Sequence, residues 1–527
     1  LNFHLLKEGK IMDWTAGYVS DVEYTAGFYG EQAPGLLNFA CILNGVEPVD
    51  TSKGFDYCEL GFGRGLTVNV LAAANPQGRF YAADFNPSHV AGARQLAASA
   101  ELENVFLLES SFEQMARGEV EGLPQFDFIT LHGIYTWVTA ENRAHIVQFI
   151  SRYLKPGGIV YLSYNAMPGW ACAQPLQKIL VEHAALNPNR SDVQIHQAAQ
   201  FVDKLQQLNA GFIAANPALK PRLATLNTAD RHYLVHEYMH RHWQPMYHID
   251  VANDLADAKL DYIGSADLPL AYRQMYLTAE QVALLESIPD RSMRETVHDY
   301  LLNIGFRKDI FVRGARRMSH LRQSEYLAQL GLVSLQPREA CQMAFKLNVG
   351  EMHGKPETYT PLFDRLAQGP QSFTQLNTLF GGTRMSPSLI EAASLLIATG
   401  QAAVYSVDKQ HGVATSAQAL NQQLLQRVRF ADDYQVLASQ LTGSGVATNF
   451  IERLFLFVLQ SKPQGELLEL AQEGFAIMQT LGRNMIKDGK KLESAEDNIG
   501  ALAEQFAFLQ QGKAKVWQQL GCIKTAG

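Results

Sequence analysis

The feature that most constrains this chain is an alternation. Between Gly54 and Asn165, five short apolar runs, FDYCELG, RFYAADF, NVFLLES, FDFITLH and GIVYLSYN, are separated by stretches of helical spacing at Leu66 to Ala74, His89 to Ala100, Phe112 to Arg117 and Glu141 to Leu154. Near-continuous apolar strands joined by crossover helices predict a doubly wound parallel sheet, so the fold class is α/β with a Rossmann-like core. Lys155-Pro156-Gly157-Gly158 reads as a sharp turn into the fifth strand. Ahead of the alternation, Pro34 opens a leading helix with Leu36, Leu37, Ala40 and Leu43 at three-to-four spacing.

The first run ends in Glu59-Leu60-Gly61-Phe62-Gly63-Arg64-Gly65 and the second in Asp84. Glycines at a strand end let the backbone turn tightly against a nucleoside-like ligand, and an acid at the end of the next strand can hold a ribose diol. Leu66 stands where a dinucleotide loop has its third glycine, and Glu59 would repel a diphosphate. A cationic amino acid nucleoside suits the turn better: a sulfonium cofactor carries an ammonium group, a ribose and an adenine, and no phosphate.

Beyond Trp170 the sequence turns helical and His-rich from Gln174 to about Leu260, which reads as a helical insertion; LDYIG and GFRKDIFVRG then supply two closing strands. Further on, helices near Thr360 to Ala367, Ser372 to Phe380 and Ser386 to Ala398 precede an expected hairpin of Ala402 to Val407, a DKQHG turn and Val413 to Thr415, the pattern of a winged-helix-like module. Its third helix carries Glu391 and no Lys or Arg, so it lacks the basic face a DNA groove requires and is expected to dock protein. At about 150 residues per domain the length leads to a multidomain expectation: 1–50 an N-terminal helical and aromatic lid, 51–325 the core with its insertion at about 175–260, 326–425 the winged-helix-like domain, and 426–527 a helical C-terminal region.

A net charge of −8 is the wrong sign for affinity won by neutralising phosphates, so no nucleic acid partner is expected. The five cysteines never form a CxxC pair and read as buried thiols in a reducing, cytoplasmic setting. No apolar run approaches the roughly 18 residues of a membrane helix, so no membrane partner is expected. The stretch before Met12 lacks the features of a signal peptide and is expected to be upstream sequence, with Met12 the natural start.

With ELGFGRG, ADFNP (Ala83 to Pro87), LHGIYTWV (Leu131 to Val138), SYNAMPGW (Ser163 to Trp170) and RHYLVHEYMHRHWQPMYHID in place, the chain resembles the class I S-adenosylmethionine-dependent methyltransferases. More narrowly it resembles a bacterial group that joins such a domain to a methyltransferase regulatory domain and a winged-helix C-terminal region, and that includes rickettsial protein lysine methyltransferases. Phe62 departs from the small residue or Cys of many relatives. The resemblance implies Glu59, Gly61, Gly63 and Gly65 around the methionine moiety and Asp84 on the ribose. It further implies Phe85 and Asn86 flanking the adenosine, Ser111 and Phe112 bordering the adenine, and His132 facing the cofactor. S-adenosylmethionine is then the cofactor, with no metal.

Methyl transfer is an in-line displacement in which the protein supplies alignment, desolvation and a deprotonated nucleophile. Aromatic and carbonyl groups serve that end, and Tyr24, Phe28, Tyr29, Tyr135, Trp137, Tyr164, Asn165 and Trp170 are the substrate-side candidates, with Tyr164 and Asn165 the preferred pair. No catalytic residue is assigned. The favoured substrate is a protein side chain such as lysine; a small metabolite and a cofactor-binding scaffold without turnover are the alternatives. A further alternative is a zinc peptidase through His236-Glu237-Tyr238-Met239-His240, which matches HExxH, although Trp243 and Met246 replace residues of its extended form. In the family resembled, this segment belongs to the regulatory insertion. The basic run Arg307, Lys308, Arg313, Arg316 and Arg317 reads as a solvated face, as a dock for an acidic patch on a substrate protein, or as a salt bridge to the lid.

Overall fold

The structure is a computed structural model that describes residues 21–22, 26–382, 384–408 and 415–523. The expected upstream stretch before Met12, Tyr24 and Val413 lie outside the described residues.

Helix α1 (Pro34–Leu43) leads into strand β1 (Phe55–Leu60), followed by α2 (Leu66–Ala74), β2 (Gly78–Asp84), α3 (Pro87–Ser99), β3 (Val105–Glu109), α4 (Phe112–Arg117), β4 (Phe126–Leu131), α5 (Ala140–Tyr153) and β5 (Leu154–Asn165). Six helices then intervene: α6 (Gln174–Ala185), α7 (Ser191–Gln207), α8 (Gly211–Ala215), α9 (Lys220–Thr228), α10 (Arg231–Tyr238) and α11 (His248–Ala256). Strand β6 (Leu260–Ser265), helices α12 (Ala279–Glu286) and α13 (Arg291–Leu302), and strand β7 (Phe306–Arg313) complete the sheet. Its order is β3-β2-β1-β4-β5-β7-β6, with β7 antiparallel to both neighbours. Lys155 to Gly158 form no separate turn; they lie within β5, where its pairing with β4 shifts register.

Side chains alternate between two covered faces, as strand geometry requires. Tyr57, Phe80, Phe128 and Tyr161 pack with Leu37, Phe39, Val68 and Val90, whereas Cys58, Ile129, Val160 and Leu162 pack with Ile146, Phe149, Val251 and Leu255. The crossover helices begin where the sequence offers caps. Asn86 accepts from Ser88 N with Pro87 in the first turn, Ser111 and Gln114 form a capping box, and Thr139 accepts from Asn142 N.

After β7 come α14 (His320–Ala328), β8 (Leu330–Ser334), the hairpin β9 (Ala344–Leu347) and β10 (Gly350–His353), α15 (Pro356–Leu366), β11 (Gln371–Ser372), α16 (Phe373–Asn377), α17 (Pro387–Ala398) and β12 (Ala402–Ser406). The expected hairpin partner of β12 is not found at Thr415, which begins α18 (Thr415–Gln426); β12 pairs instead with β8, in a three-stranded sheet ordered β11-β8-β12. The remainder is helical, α19 (Phe450–Ser461), α20 (Leu467–Thr480), α21 (Ala495–Phe508) and α22 (Ala514–Gln519), with hairpins β13 (Val436–Ser439) to β14 (Ser444–Ala447) and β15 (Ile486–Lys487) to β16 (Lys490–Lys491). Helix α18, β13 and the loop before it bury Leu420, Leu424, Tyr434 and Val436 against Leu66, Val70 and Leu96 of α2 and α3, so the C-terminal region lies directly on the helices behind the glycine turn. Among the described residues no helix is long and apolar enough to cross a membrane.

Candidate active site

A cavity of about 680 Å³ opens at the carboxyl ends of β1, β2 and β4, where ligands of open α/β sheets bind. Gly61, Gly63 and Gly65 all adopt positive φ. At Gly65, φ is +71° and an added Cβ would stand 2.4 Å from Ala93 Cβ, so only glycine lets α2 start against α3. Gly63 N donates to Asp84 Oδ2 at 2.9 Å, and Asp84 Oδ1 accepts from Asn86 N at 2.9 Å and lies 3.3 Å from His89 Nδ1. Asp84 thereby ties the glycine turn to the loop after β2.

Glu59 is buried, and only one of its oxygens is met: Gln32 Nε2 donates to Oε1 at 3.3 Å, while Oε2 has no partner among the described residues. Burial pushes its carboxyl up to about 8; Asp84 adds to the rise and the Gln32 bond opposes it. His132 stacks on Tyr29 with centroids 3.7 Å apart and shares a 2.9 Å hydrogen bond with Tyr161. Burial, with Lys308 adding and Glu31 opposing, pushes the imidazole down to about 4, which keeps it neutral. Lys308 itself is paired with Glu31.

Of the residues singled out for the cofactor, Glu59, Gly61, Gly63, Gly65, Asp84, Phe85, Ser111, Phe112 and His132 line this cavity. Asn86 does not; its side chain is spent capping α3. On the substrate side Tyr29, Trp137 and Asn165 line it, and Asn165 Nδ2 is buried without a partner among the described residues.

The aromatic expectations need correction elsewhere. Tyr164, half of the preferred pair, is fully buried on the far side of β5, with its hydroxyl donating to Asp309 Oδ2 at 2.8 Å. Asn165 faces the cavity because neighbouring strand residues point to opposite faces. Tyr135 is likewise buried and donates to Asp254 Oδ2 at 2.9 Å. Phe28 packs on Gly445 of the C-terminal hairpin, and Trp170 lies in the core of the insertion beneath the Arg222 guanidinium, 3.4 Å from its ring centre.

The basic run divides: Lys308 and Arg316 make salt bridges to Glu31 and Glu47 of the N-terminal segment, Arg316 and Arg317 stay exposed, and the rest is drawn inward. Arg307 is buried in an ion network with Glu295, Asp299 and Asp309, and Arg316 pairs with Glu47. Arg313 and Arg317 donate to the carbonyls of Leu154 and Asn44. The antiparallel β7 carries Arg307, Lys308 and Arg313 between the insertion and the core, whereas Arg316 and Arg317 lie beyond it at the surface.

The zinc reading also fails on ligands. His236 Nε2 donates to the Val22 carbonyl at 3.1 Å, and among the described residues no three His, Cys, Asp or Glu come together as a metal site. Helix α10 moreover ends at Tyr238, before the second histidine. Sequence reasoning missed what the segment does provide: Tyr233, His236, Glu237 and His240 form a wall of the same cavity. The signal was visible as HExxH, but spacing alone could not say which cavity the motif would meet.

The geometry combines a buried unmet carboxylate oxygen, a glycine turn, an acid knitted to that turn and an aromatic wall. Such a site can hold an ammonium-bearing nucleoside and align a second molecule beside it. A family model described as a methyltransferase domain matches residues 51–222, and one described as a predicted methyltransferase regulatory domain matches residues 230–313. An uncharacterized protein of Synechocystis sp. is 36% identical over 503 residues, covering 94% of this chain and 97% of the relative. An uncharacterized protein of Rickettsia prowazekii is 20% identical over 507 residues, covering 90% and 89%. Among solved structures, PKMT2 from Rickettsia typhi in complex with AdoHcy matches with a TM-score of 0.66 at 15% identity, covering 94% of this chain and 99% of that one, a likeness of fold.

Proposed function

Starting from a chain that belongs to the class I S-adenosylmethionine-dependent methyltransferases with a predicted methyltransferase regulatory domain, we propose that the methyl group goes to a protein side chain, and to lysine in the first place. The observation that carries this reading is the second wall of the cavity. Trp137 and Tyr233 offer aromatic faces beside a carboxylate, Glu237, a combination that favours an alkylammonium over a neutral metabolite. The name of the Rickettsia typhi structure, PKMT2, is in keeping with a protein lysine substrate.

The residues present fit the cofactor. The unmet oxygen of Glu59 would take its ammonium group, the turn from Gly61 to Gly65 would carry the methionine chain, and Asp84 would hold the ribose hydroxyls. Phe85, Ser111 and Phe112 would border the adenosine, with His132 opposite. Bound S-adenosylmethionine supplies a methyl carbon on cationic sulfur, whose leaving group is a neutral thioether. The chain's own task is then to exclude water and to align the incoming nitrogen, which gives up a proton to solvent to expose its lone pair before attack, with Tyr29, Trp137 and Asn165 at the junction of the two halves. We read the module from α15 to β12 as winged-helix-like and suited to recruiting protein, since α17 has no Lys or Arg, and we place the enzyme in the cytoplasm, where thiols such as Cys41, Cys58 and Cys522 stay unpaired.

The test is transfer of labelled methyl from S-adenosylmethionine to a protein extract and to a metabolite extract, with Asp84→Ala as control. Label on protein lysine, lost in the variant, is the expected result. Label only in the low-mass fraction, or cofactor binding with no product in either, overturns the reading.

A further inference from the structure

The insertion is stitched to the sheet at the rim of the cavity. Met246 N donates to the Asn165 carbonyl and Met167 N to the Met246 carbonyl, each at 3.0 Å, and Gln244 N donates to the Thr136 carbonyl at 2.8 Å. These bonds hold the segment after α10 against the ends of β5 and of the loop that follows β4. On α10, Leu234, Val235 and Tyr238 turn into the core of the insertion, which leaves Tyr233, His236 and Glu237 on the cavity side.

Glu237 is the anomaly on that face. No hydrogen bond or ion pair reaches its carboxylate among the described residues. The cation acting on it, Arg222, sits over the Trp170 ring and bonds the Tyr238 side chain, so its guanidinium is already engaged. Glu237 is half-buried on the cavity wall, where a carboxylate is partly withdrawn from water and gains from a cation that arrives to meet it. Burial pushes this carboxyl up to about 7, with Arg222 opposing, as expected of a group whose partner is not part of the fold. Around it the wall is aromatic: Trp137 meets His240 edge to face at 5.1 Å and Trp243 at 6.0 Å. Burial pushes His240 down to about 3, so it adds no positive charge to compete with an incoming cation.

We propose that Glu237 is the substrate-binding carboxylate of this enzyme, receiving the cationic nitrogen of an alkylammonium side chain at the wall of the cavity that faces the glycine turn. The proposal rests on the reading of lysine as substrate and adds to it a residue and a chemical reason for the choice. It also gives the segment matched by the predicted regulatory domain a direct part in the active site.

The experiment uses the full chain saturated with S-adenosylhomocysteine and two probes, Nα-acetyl-lysine methylamide and its norleucine analogue, which lacks the ammonium group. Binding is read by ligand-observed NMR on wild type, Glu237→Gln and Glu237→Asp. The expected result is that the lysine probe binds wild type, weakens at least about tenfold in the Gln variant and recovers in part in the Asp variant, as for loss of a charge-assisted contact. The norleucine probe should bind wild type and the Gln variant alike, and S-adenosylhomocysteine should titrate into all three proteins with one affinity. Unchanged lysine-probe binding in Glu237→Gln, equal binding of both probes to wild type, or no binding of the lysine probe to wild type overturns the proposal. Failure of the lysine reading would appear separately, as absence of label on protein lysine in the transfer assay.

Discussion

Arg64 and Asp433 stand 369 residues apart and are joined by a 3.0 Å salt bridge. Arg64 belongs to the glycine turn and Asp433 to the loop before β13, so the C-terminal region holds the turn that lines the cavity. The Arg64 guanidinium also lies 5.3 Å from the Tyr434 ring centre, and Asp433 is shared with Arg427. Both partners are partly exposed, which limits the bridge to about 1 kcal/mol. Asp433→Ala should therefore weaken S-adenosylhomocysteine binding by no more than about fivefold while leaving the melting temperature nearly unchanged. A calorimetric cycle with Arg64→Ala should show that the two losses do not add; full additivity would mean that the bridge does not support the turn.

Glu59 predicts opposite pH trends for binding and stability. Burial pushes its carboxyl up to about 8 in the folded chain from an ordinary value of 4.5. Between these values the folded protein holds a proton that the unfolded chain has lost, so the group's contribution to stability is fullest below 4.5 and is lost as pH rises through 8. Ligand-free Glu59→Gln should melt above wild type at pH 9 and close to it at pH 5. Cofactor affinity should behave in reverse, falling in wild type as pH drops from 9 to 6 because the ammonium needs the ionised carboxylate, and staying low and flat in the variant. Parallel melting and calorimetric series test both trends.

Arg307 is the charge that balances the buried acids of β7 and α13. Burial alone would raise Asp309, yet Arg307 and His248 hold it down at about 2. Arg307→Met keeps the volume and leaves Glu295, Asp299 and Asp309 without their shared cation, so denaturant titration should show a loss of about 3 kcal/mol or more. A loss below about 1 kcal/mol would mean that water reaches the network.

Two glycines on neighbouring helices should respond with opposite signs. Gly65→Ala forces φ of +71° on alanine and drives its Cβ against Ala93, and should cost about 1–3 kcal/mol together with cofactor binding. In α3, Gly92 is exposed and an added Cβ would meet nothing within 4 Å, so Gly92→Ala should add about 0.5–1 kcal/mol. Melting of the two variants beside wild type separates the effects.

The α/β core was legible because its signals are local. A buried strand is apolar along its whole length, a crossover helix repeats every three to four residues, and Ser111 or Asn86 caps the helix that follows it in the chain. The glycine turn with Glu59 and Asp84 was legible for the same reason, since both acids end adjacent strands and their meeting follows from the topology. Side-chain direction was the first thing to escape: Tyr164 and Asn165 are consecutive, and only the pleat sends one to Asp309 and the other to the cavity.

By itself, then, the sequence determined the α/β order of the core and the glycine turn that lines the cavity, both properties of residues close together in the chain. Only the tertiary structure decided that HExxH forms a cavity wall, that Arg307 is buried, that β12 pairs with β8, and that Asp433 braces the glycine turn. These outcomes depend on which distant groups share a space, and burial and charge pairing act across space irrespective of separation along the chain.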